Sequence, residues 1–438
     1  MKISKIRYDW IAAGIVLVFS AAGCGSNGPS STQTSSTQTS TTPGLVEASR
    51  QLPTVSASTP LSPGETAASS ADLSFGFNLL SQLTTEAPGQ NVFYSPLSVS
   101  TALDLLYNGA GSGTQTAMAQ TLSLGSLSLS TLNQANASLL GRLEGLDPAV
   151  QINIANAIWA GQGVTLNAGF LQRDSQYYGA AAGLLNFNNP TAAAGVINNW
   201  VSGQTNGMIP ALLSASDLVP GTNVVLTNAI YFKGPWSQQF QTSSTQNAPF
   251  NLSAGTQETV PMMEQKANFG YLQTQGFQAV SLPYGSGETR MLVFLPTAGP
   301  GMTQFLTSLT PANWNTWLAG FQMAQVDLKL PRFQVSYNAS LNAALTAMGM
   351  GVAFGVGADF SPMGLPQEEI SVVKHQAVLK VDENGSQAAA ATAIGVTSSA
   401  VMVPPLSVQM TVDSPFFLAI QDTQTGIVLF MGVVNSPA

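Results

Sequence analysis

The sequence predicts an α+β fold, and segments of three kinds support that prediction. Apolar and polar residues alternate from Val326 to Leu330, as in a half-buried strand. Residues 290–296 form an apolar strand ended by a proline, and 415–434 read as two apolar strands joined near Thr425-Gly426. Because these strands lie far apart in the sequence, the sheets must form by long-range pairing. An amphipathic helix is indicated by apolar residues at helical spacing, which are Leu73, Phe77, Leu80 and Leu83.

The composition excludes several classes of function. Only 8% of the 438 residues are charged, and the formal net charge is −8. Such a surface does not attract nucleic acid, which needs clustered Lys and Arg. The chain has one cysteine, Cys24, and one histidine, His375. It therefore has no internal disulfide and no cysteine-based or multi-histidine metal site. The sequence implies no cofactor.

The N-terminus has the features of a bacterial lipoprotein signal. A basic start precedes an apolar run from Trp10 to Ala22 that is short for a membrane-spanning helix. The run ends in Ala-Ala-Gly-Cys24, where small residues admit a signal peptidase and the thiol accepts lipid. The alternative is an ordinary secretory signal with a coincidental cysteine. We expect a signal peptide at 1–23 and a protein attached through lipid to the membrane or cell surface, outside the cytoplasm.

The next segment, 24–71, repeats Ser, Thr and Gln with scattered prolines and almost no large apolar residue. It cannot bury enough apolar surface to fold, so we predict a flexible tether. The composition changes at Asp72, where we place the start of a single domain at 72–438.

Several segments of this domain resemble, in order, the signature segments of the serpin family of protease inhibitors. They include NVFYSPLSVSTALDLLYNGAGSGTQTAM at 91–118, TNAIYFKGPWSQQF at 227–240, LKLPRF at 328–333 and LFMGVVN at 429–435. The resemblance extends from about Asp72 to the C-terminus. It implies a fold of three β-sheets surrounded by eight or nine helices, with an exposed reactive loop, and it implies a monomer that is not an enzyme.

The resemblance places the functional segment at 381–405, VDENGSQAAAATAIGVTSSAVMVPP. In the family such a loop is bait: the protease forms an acyl-enzyme with it, and the cleaved loop inserts into the main sheet. The family's spacing from Glu383 puts the scissile bond at Ser399-Ala400, and a longer loop would move it as far as Met402-Val403. The implied hinge comprises Glu383, Gly385, Ser386, Gln387, Ala388, Ala389, Ala390, Ala391 and Thr392.

The hinge residues suit insertion into a crowded sheet. The alanines carry no charge and have almost no side-chain entropy to lose. Ser386, Ala388, Ala390 and Thr392 would share one face of a strand. An alanine run alone favours a helix, but the flanking Asp382-Glu383-Asn384-Gly385 and Pro404-Pro405 favour the hinge. Gln387 stands where the family usually has Glu, and the two are similar in shape.

The resemblance also assigns residues to sheet opening. Trp236 matches the tryptophan at the "breach", the end of the main sheet where insertion begins; core packing alone would explain it equally well. The "shutter", a buried hydrogen-bond network beneath the centre of that sheet, is matched by Ser95, Ser98, Asn228 and His375.

Other functions and the target class can be weighed from the same residues. Ser371-Val-Val-Lys374 fits the S-x-x-K pattern of penicillin-binding enzymes, but the Lys-Thr-Gly and Ser-Asp-Asn elements are absent. A non-inhibitory serpin acting as a binding module is the second alternative, disfavoured by the small, uncharged hinge. Because 381–438 contains no Lys or Arg, we expect an elastase-like, subtilisin-like or chymotrypsin-like serine protease as partner, not a trypsin-like one.

Overall fold

The computed structural model describes residues 45–46, 53, 55, 59–144, 147–253, 255–297, 301–366, 368–386 and 407–437. Within them lie nine α-helices: α1 Pro63–Glu86, α2 Pro96–Gly109, α3 Ser112–Thr121, α4 Leu129–Glu144, α5 Ala168–Tyr178, α6 Pro190–Gln204, α7 Gly301–Ser308, α8 Pro311–Gly320 and α9 Asn342–Leu345. None of these helices is both long and apolar enough to cross a membrane.

Sixteen strands lie in the same described ranges. They are β1 Leu45–Val46, β2 Val92–Tyr94, β3 Gln151–Gly161, β4 Ala181–Leu185, β5 Val224–Pro235, β6 Gln246–Asn251, β7 Gln257–Gln273, β8 Phe277–Tyr284, β9 Thr289–Pro296, β10 Gln322–Pro331, β11 Phe333–Ser340, β12 Val372–Asp382, β13 Gly385–Ser386, β14 Ser407–Thr411, β15 Phe416–Asp422 and β16 Val428–Val434. The predicted strands near 290, 326 and 415–434 are confirmed as β9, β10 and the β15–β16 pair.

The strands form two hydrogen-bonded sheets. One has seven strands in the order β1-β4-β3-β5-β13-β12-β11, and β5 and β12 also pair with each other directly. The other has nine strands, in the order β14-β10-β7-β8-β9-β15-β16-β2 with β6 beside β7. The seventeen-residue β7 pairs with β6 and β10 along one part and with β8 at its end. The second and third expected sheets are therefore continuous through β7.

The first helix begins earlier than the sequence analysis placed the domain. The Ser62 hydroxyl accepts a hydrogen bond from the Glu65 amide, and the Glu65 carboxylate accepts one from the Ser62 amide. With Pro63 at the first helical position, this is a capping box. Residues 63–71, which we assigned to the tether, thus belong to α1, and Leu45–Val46 pairs with β4.

The centre of the seven-stranded sheet is covered on both faces. α6 covers one face with a small core in which Trp159 contacts Trp200 edge to face at 5.6 Å. α2 lies against the other face, within the main core, and all of its residues are buried. A strand placed at the middle of this sheet would lose its water on both sides.

Candidate functional site

The site is the place where the two central strands of the seven-stranded sheet separate. β5 and β12 run parallel and pair directly from Val225 opposite Val372 to Tyr231 opposite Val378. Beyond that point β13 lies between them, with Ser386 opposite both Gly234 and Val381. β13 is antiparallel to both neighbours. The first hinge residues therefore already occupy the open end of the sheet.

Gly385 makes this turn into the sheet possible. Its φ is +147°, outside the range that other residues adopt readily. A Cβ added here would lie 2.2 Å from the carbonyl oxygen of Gly234 and 2.6 Å from Cα of Pro235. Just before it, the Asn384 amide donates to Asp382 Oδ1 at 2.9 Å. The position thus requires glycine for both its conformation and its space.

Trp236 holds the hinge against β5. Its indole Nε1 donates to the carbonyl oxygen of Asp382 at 2.9 Å, and its amide donates to the carbonyl oxygen of Asn384 at 2.9 Å. The ring stacks on Tyr284 with centroids 4.4 Å apart. The structure therefore places the predicted breach residue beside the start of the loop.

Tyr284 and Ser386 close the core side of the opening. Their hydroxyl oxygens are 2.7 Å apart, and both residues are fully buried. Burial raises the pKa of Tyr284 above its ordinary value, so the phenol stays neutral. The sequence analysis assigned no role to Tyr284, and nothing in its neighbouring residues predicted this contact with the hinge.

Glu383 is a buried carboxylate at the top of β12. Its Oε1 accepts a hydrogen bond from the Thr245 hydroxyl at 2.7 Å and lies 3.6 Å from Nη1 of Arg332. Arg332 is half exposed, so solvent weakens this ion pair. A buried carboxylate needs a hydrogen-bond or ion-pair partner. The sequence has 13 Lys and Arg residues, and its residue spacing did not identify Thr245 or Arg332 as the partners of Glu383.

The predicted shutter residues meet beneath the point where β5 and β12 still pair. Asn228 Nδ2 donates to the carbonyl oxygen of Ser98 at 2.9 Å and to Oδ1 of Asn156 at 2.5 Å. Its Oδ1 is hydrogen bonded to Nδ1 of His375, so Nδ1 carries the proton. Ser95 has a different role: its hydroxyl caps α2 by accepting from the Ser98 amide at 3.0 Å. Asn156 is the member that the sequence analysis missed.

His375 is fully buried at the centre of this network. Burial lowers its pKa to about 3, and its Nε2 has no hydrogen-bond partner among the described residues. The imidazole is therefore neutral over the ordinary pH range. The network links β3, β5, β12 and α2 without a charged group.

The remaining predicted site residues lie outside the described residues. These are Cys24, the reactive bond Ser399-Ala400 and the hinge residues Gln387, Ala388, Ala389, Ala390, Ala391 and Thr392. Their assignments stay predictions. In the described part of the chain no group of three or more His, Cys, Asp or Glu side chains could hold a metal ion.

Comparison with known proteins supports the same fold. The family model described as serpin (serine protease inhibitor) matches residues 70–437. The leukocyte elastase inhibitor of Sus scrofa is 31% identical over 379 residues, covering 84% of this chain and 99% of the relative. A serpin-like protein of Thermococcus kodakarensis is 35% identical, covering 83% and 84%.

Solved structures agree with these relatives. Human thyroxine-binding globulin, in complex with thyroxine, matches with a TM-score of 0.79 and 30% identity, over 86% of this chain and 100% of that one. The thermophilic serpin tengpin, in its native state, matches with a TM-score of 0.77 and 27% identity, over 89% and 97%.

Proposed function

Because this chain belongs to the serpin family, we propose that it inhibits a serine protease as a suicide substrate and is not an enzyme itself. The observation that carries the proposal is β13, where Gly385 and Ser386 already pair with both β5 and β12. The loop thus starts in the position and direction from which it could continue as a new central strand.

The chemical step is acyl transfer to the protease. The protease serine attacks the carbonyl carbon of Ser399, an ester forms, and the bond to Ala400 breaks. The freed amine of Ala400 takes its proton from the protease histidine. The freed hinge would then insert, carry the attached protease along the sheet and distort its active site before water cleaves the ester.

The register of β13 indicates where the inserted residues would go. Continuing the pairing of Ser386 with Gly234 and Val381 places Thr392 opposite Asn228 and His375, which now face each other directly. Thr392 would share the core face with Ser386. Insertion would therefore part the shutter strands and set a small hydroxyl between them.

The proposed target is elastase-like, subtilisin-like or chymotrypsin-like. Three observations support this choice: uncharged residues around Ser399, no Lys or Arg from 381 onward, and similarity to inhibitors named for leukocyte elastase. We further propose, from the N-terminal sequence alone, that the protein acts outside the cytoplasm with a lipid on Cys24.

A protease panel read on a denaturing gel tests the proposal. We expect a covalent complex with pancreatic elastase or subtilisin that survives denaturation, and none with trypsin. Thr392→Arg would bring a charge beside neutral, buried His375, which is costly. That variant should be cleaved and released without a complex, whereas Thr392→Ser should still trap the protease.

The outcomes separate the candidate functions. Cleavage of the parent protein without a complex by every protease of the panel would contradict inhibition and favour the non-inhibitory serpin, a binding module. A stable complex with trypsin formed at this loop would contradict the proposed target class alone.

A further inference from the structure

A cluster of buried aspartates lies among the helices that cover the core side of the sheet. Asp72 is on α1, Asp104 on α2 and Asp174 on α5. Asp104 and Asp174 are buried residues; Asp72 is partly exposed, but its Oδ2 is sequestered. Asp72 Oδ2, Asp104 Oδ1 and both oxygens of Asp174 have no hydrogen-bond partner among the described residues.

The polar groups around Asp72 and Asp104 are neutral. Asn136 Nδ2 donates to Asp104 Oδ2 at 2.7 Å, and the Ser100 hydroxyl lies beside Asp72. Beyond them, Asn108 and Asn133 bond to each other at 2.8 and 3.1 Å, and Asn133 accepts from the Tyr178 hydroxyl at 2.6 Å. Amides and a phenol stabilise a carboxylate less than a cation does.

Cations are scarce around the cluster. The four helices α1, α2, α4 and α5 carry two cationic side chains, Arg142 and Arg173. Arg142 pairs with Glu65 at 2.8 Å, and Arg173 lies beside Asp174. Among the described residues no cation faces Asp72 or Asp104, whose charges would instead repel each other. Helices α1 and α2, and the helices and strands packed against them, carry further ionisable side chains. These are Glu65, Glu86, Tyr94, Tyr107, Glu144, Tyr177, Tyr178, Tyr231 and Lys233.

The physical consequence is that the protonated form of each aspartate suits the folded state. Burial raises the pKa of Asp72 to about 7. Burial and the neighbouring Asp72 raise the pKa of Asp104 well above its ordinary value. Burial raises that of Asp174 as well, against the opposing effect of Arg173. Ionisation in place would put charge on buried carboxylate oxygens that have no hydrogen-bond partner among the described residues.

We propose that this cluster makes the native fold an acid-favoured state, which loses stability as the pH rises from about 5 toward about 7. The sign follows from proton binding. Each aspartate keeps its proton in the folded chain at a pH where the unfolded chain has lost it. The folded chain therefore binds more protons, and stability falls with rising pH.

His375 changes the stability with pH in the opposite direction and therefore reduces the net effect of the aspartates. Its folded pKa of about 3 lies below the unfolded value, so its contribution is lost as the pH falls from about 6.5 toward 3. Between about pH 5 and 6, the raised aspartate pKa values favour the folded chain and the lowered histidine pKa favours the unfolded chain. Each proton by which the folded chain exceeds the unfolded chain raises the unfolding equilibrium constant about tenfold per pH unit.

Urea unfolding of the full chain at about pH 5.0, 5.5 and 6.0, with no protease present, tests whether the stability of the fold falls as the pH rises. The parent midpoint should fall steadily across that range. Asp72→Asn with Asp104→Asn removes two of the three aspartates, so the midpoint should fall distinctly less than that of the parent, because His375 then opposes Asp174 alone. Asp413→Asn, outside the cluster, should keep the parental slope.

A second measurement covers the case in which the double variant does not fold. The infrared carbonyl band of a protonated carboxylic acid should be present in the folded parent at pH 6 and absent after unfolding at the same pH. A parent midpoint that is constant or rises from pH 5 to 6, or the absence of that band, would overturn the inference.

Discussion

The entry of the loop into the seven-stranded sheet depends on Gly385. Gly385→Ala would set a methyl group against Gly234 and Pro235 on backbone that already has positive φ. We expect the native protein to lose about 2–3 kcal/mol, from strain and lost pairing of β13. Urea unfolding measures the loss.

The matched control is Gly426→Ala, in the turn before β16. Gly426 also has positive φ, at 75°, but a Cβ there would meet nothing within 4 Å. It should lose about 1 kcal/mol, from backbone conformation alone. Equal losses at the two positions would show that the close approach to β5 does not constrain the hinge.

At the scale of elements, Asn228 connects β5 with β3, β12 and α2. Asn228→Ala would leave His375, Asn156 and Ser98 with buried polar groups unpaired. We expect a loss of about 3–5 kcal/mol in the free energy of unfolding. Asn338→Ala removes an exposed amide that donates to Gln376 on the same sheet and to the Leu212 carbonyl oxygen, and it should lose about 1 kcal/mol or less. Similar losses for both variants would contradict a central role for the network.

The sequence predicted those helices and strands whose pattern of residues lies within the element itself. The strands near 290, 326 and 415–434 carry their own periodicity and were found. The start of α1 was also readable, since Ser62-Pro63-Gly64-Glu65 is a capping sequence, but the polar composition before Asp72 obscured it. The pairing of Leu45–Val46 with β4 depends on a partner more than 130 residues away and had no such local signal.

The site shows the same division between local and long-range information. Gly385 and the small residues after it indicate that a strand could insert, but not how far it has entered, because that depends on the separation of β5 from β12. Asn156, Tyr284 and Arg332 join the site through strand register. Register across segments this distant is fixed by the assembled core and not by any one segment.

At the scale of the whole molecule, the sheet can gain a strand. β5 and β12 share seven residue pairs, from Val225 with Val372 to Tyr231 with Val378. An inserted strand would replace this single ladder with two. About ten added hydrogen bonds at about 1 kcal/mol each would stabilise the cleaved form, which corresponds to tens of degrees in unfolding temperature.

We therefore expect cleavage at Ser399-Ala400 to raise the unfolding temperature, measured by calorimetry before and after limited proteolysis. Ordinary proteins lose stability when a loop is cut, so the sign of the change identifies insertion. By the register of β13, Ala390 would lie opposite Ile230 and Ala377, both fully buried. Ala390→Glu should abolish the gain, because a carboxylate there has no partner, whereas Ala390→Thr, uncharged and suited to a strand, should keep most of it. A cleaved parent that unfolds at or below the temperature of the intact protein would rule out insertion of the loop into the sheet.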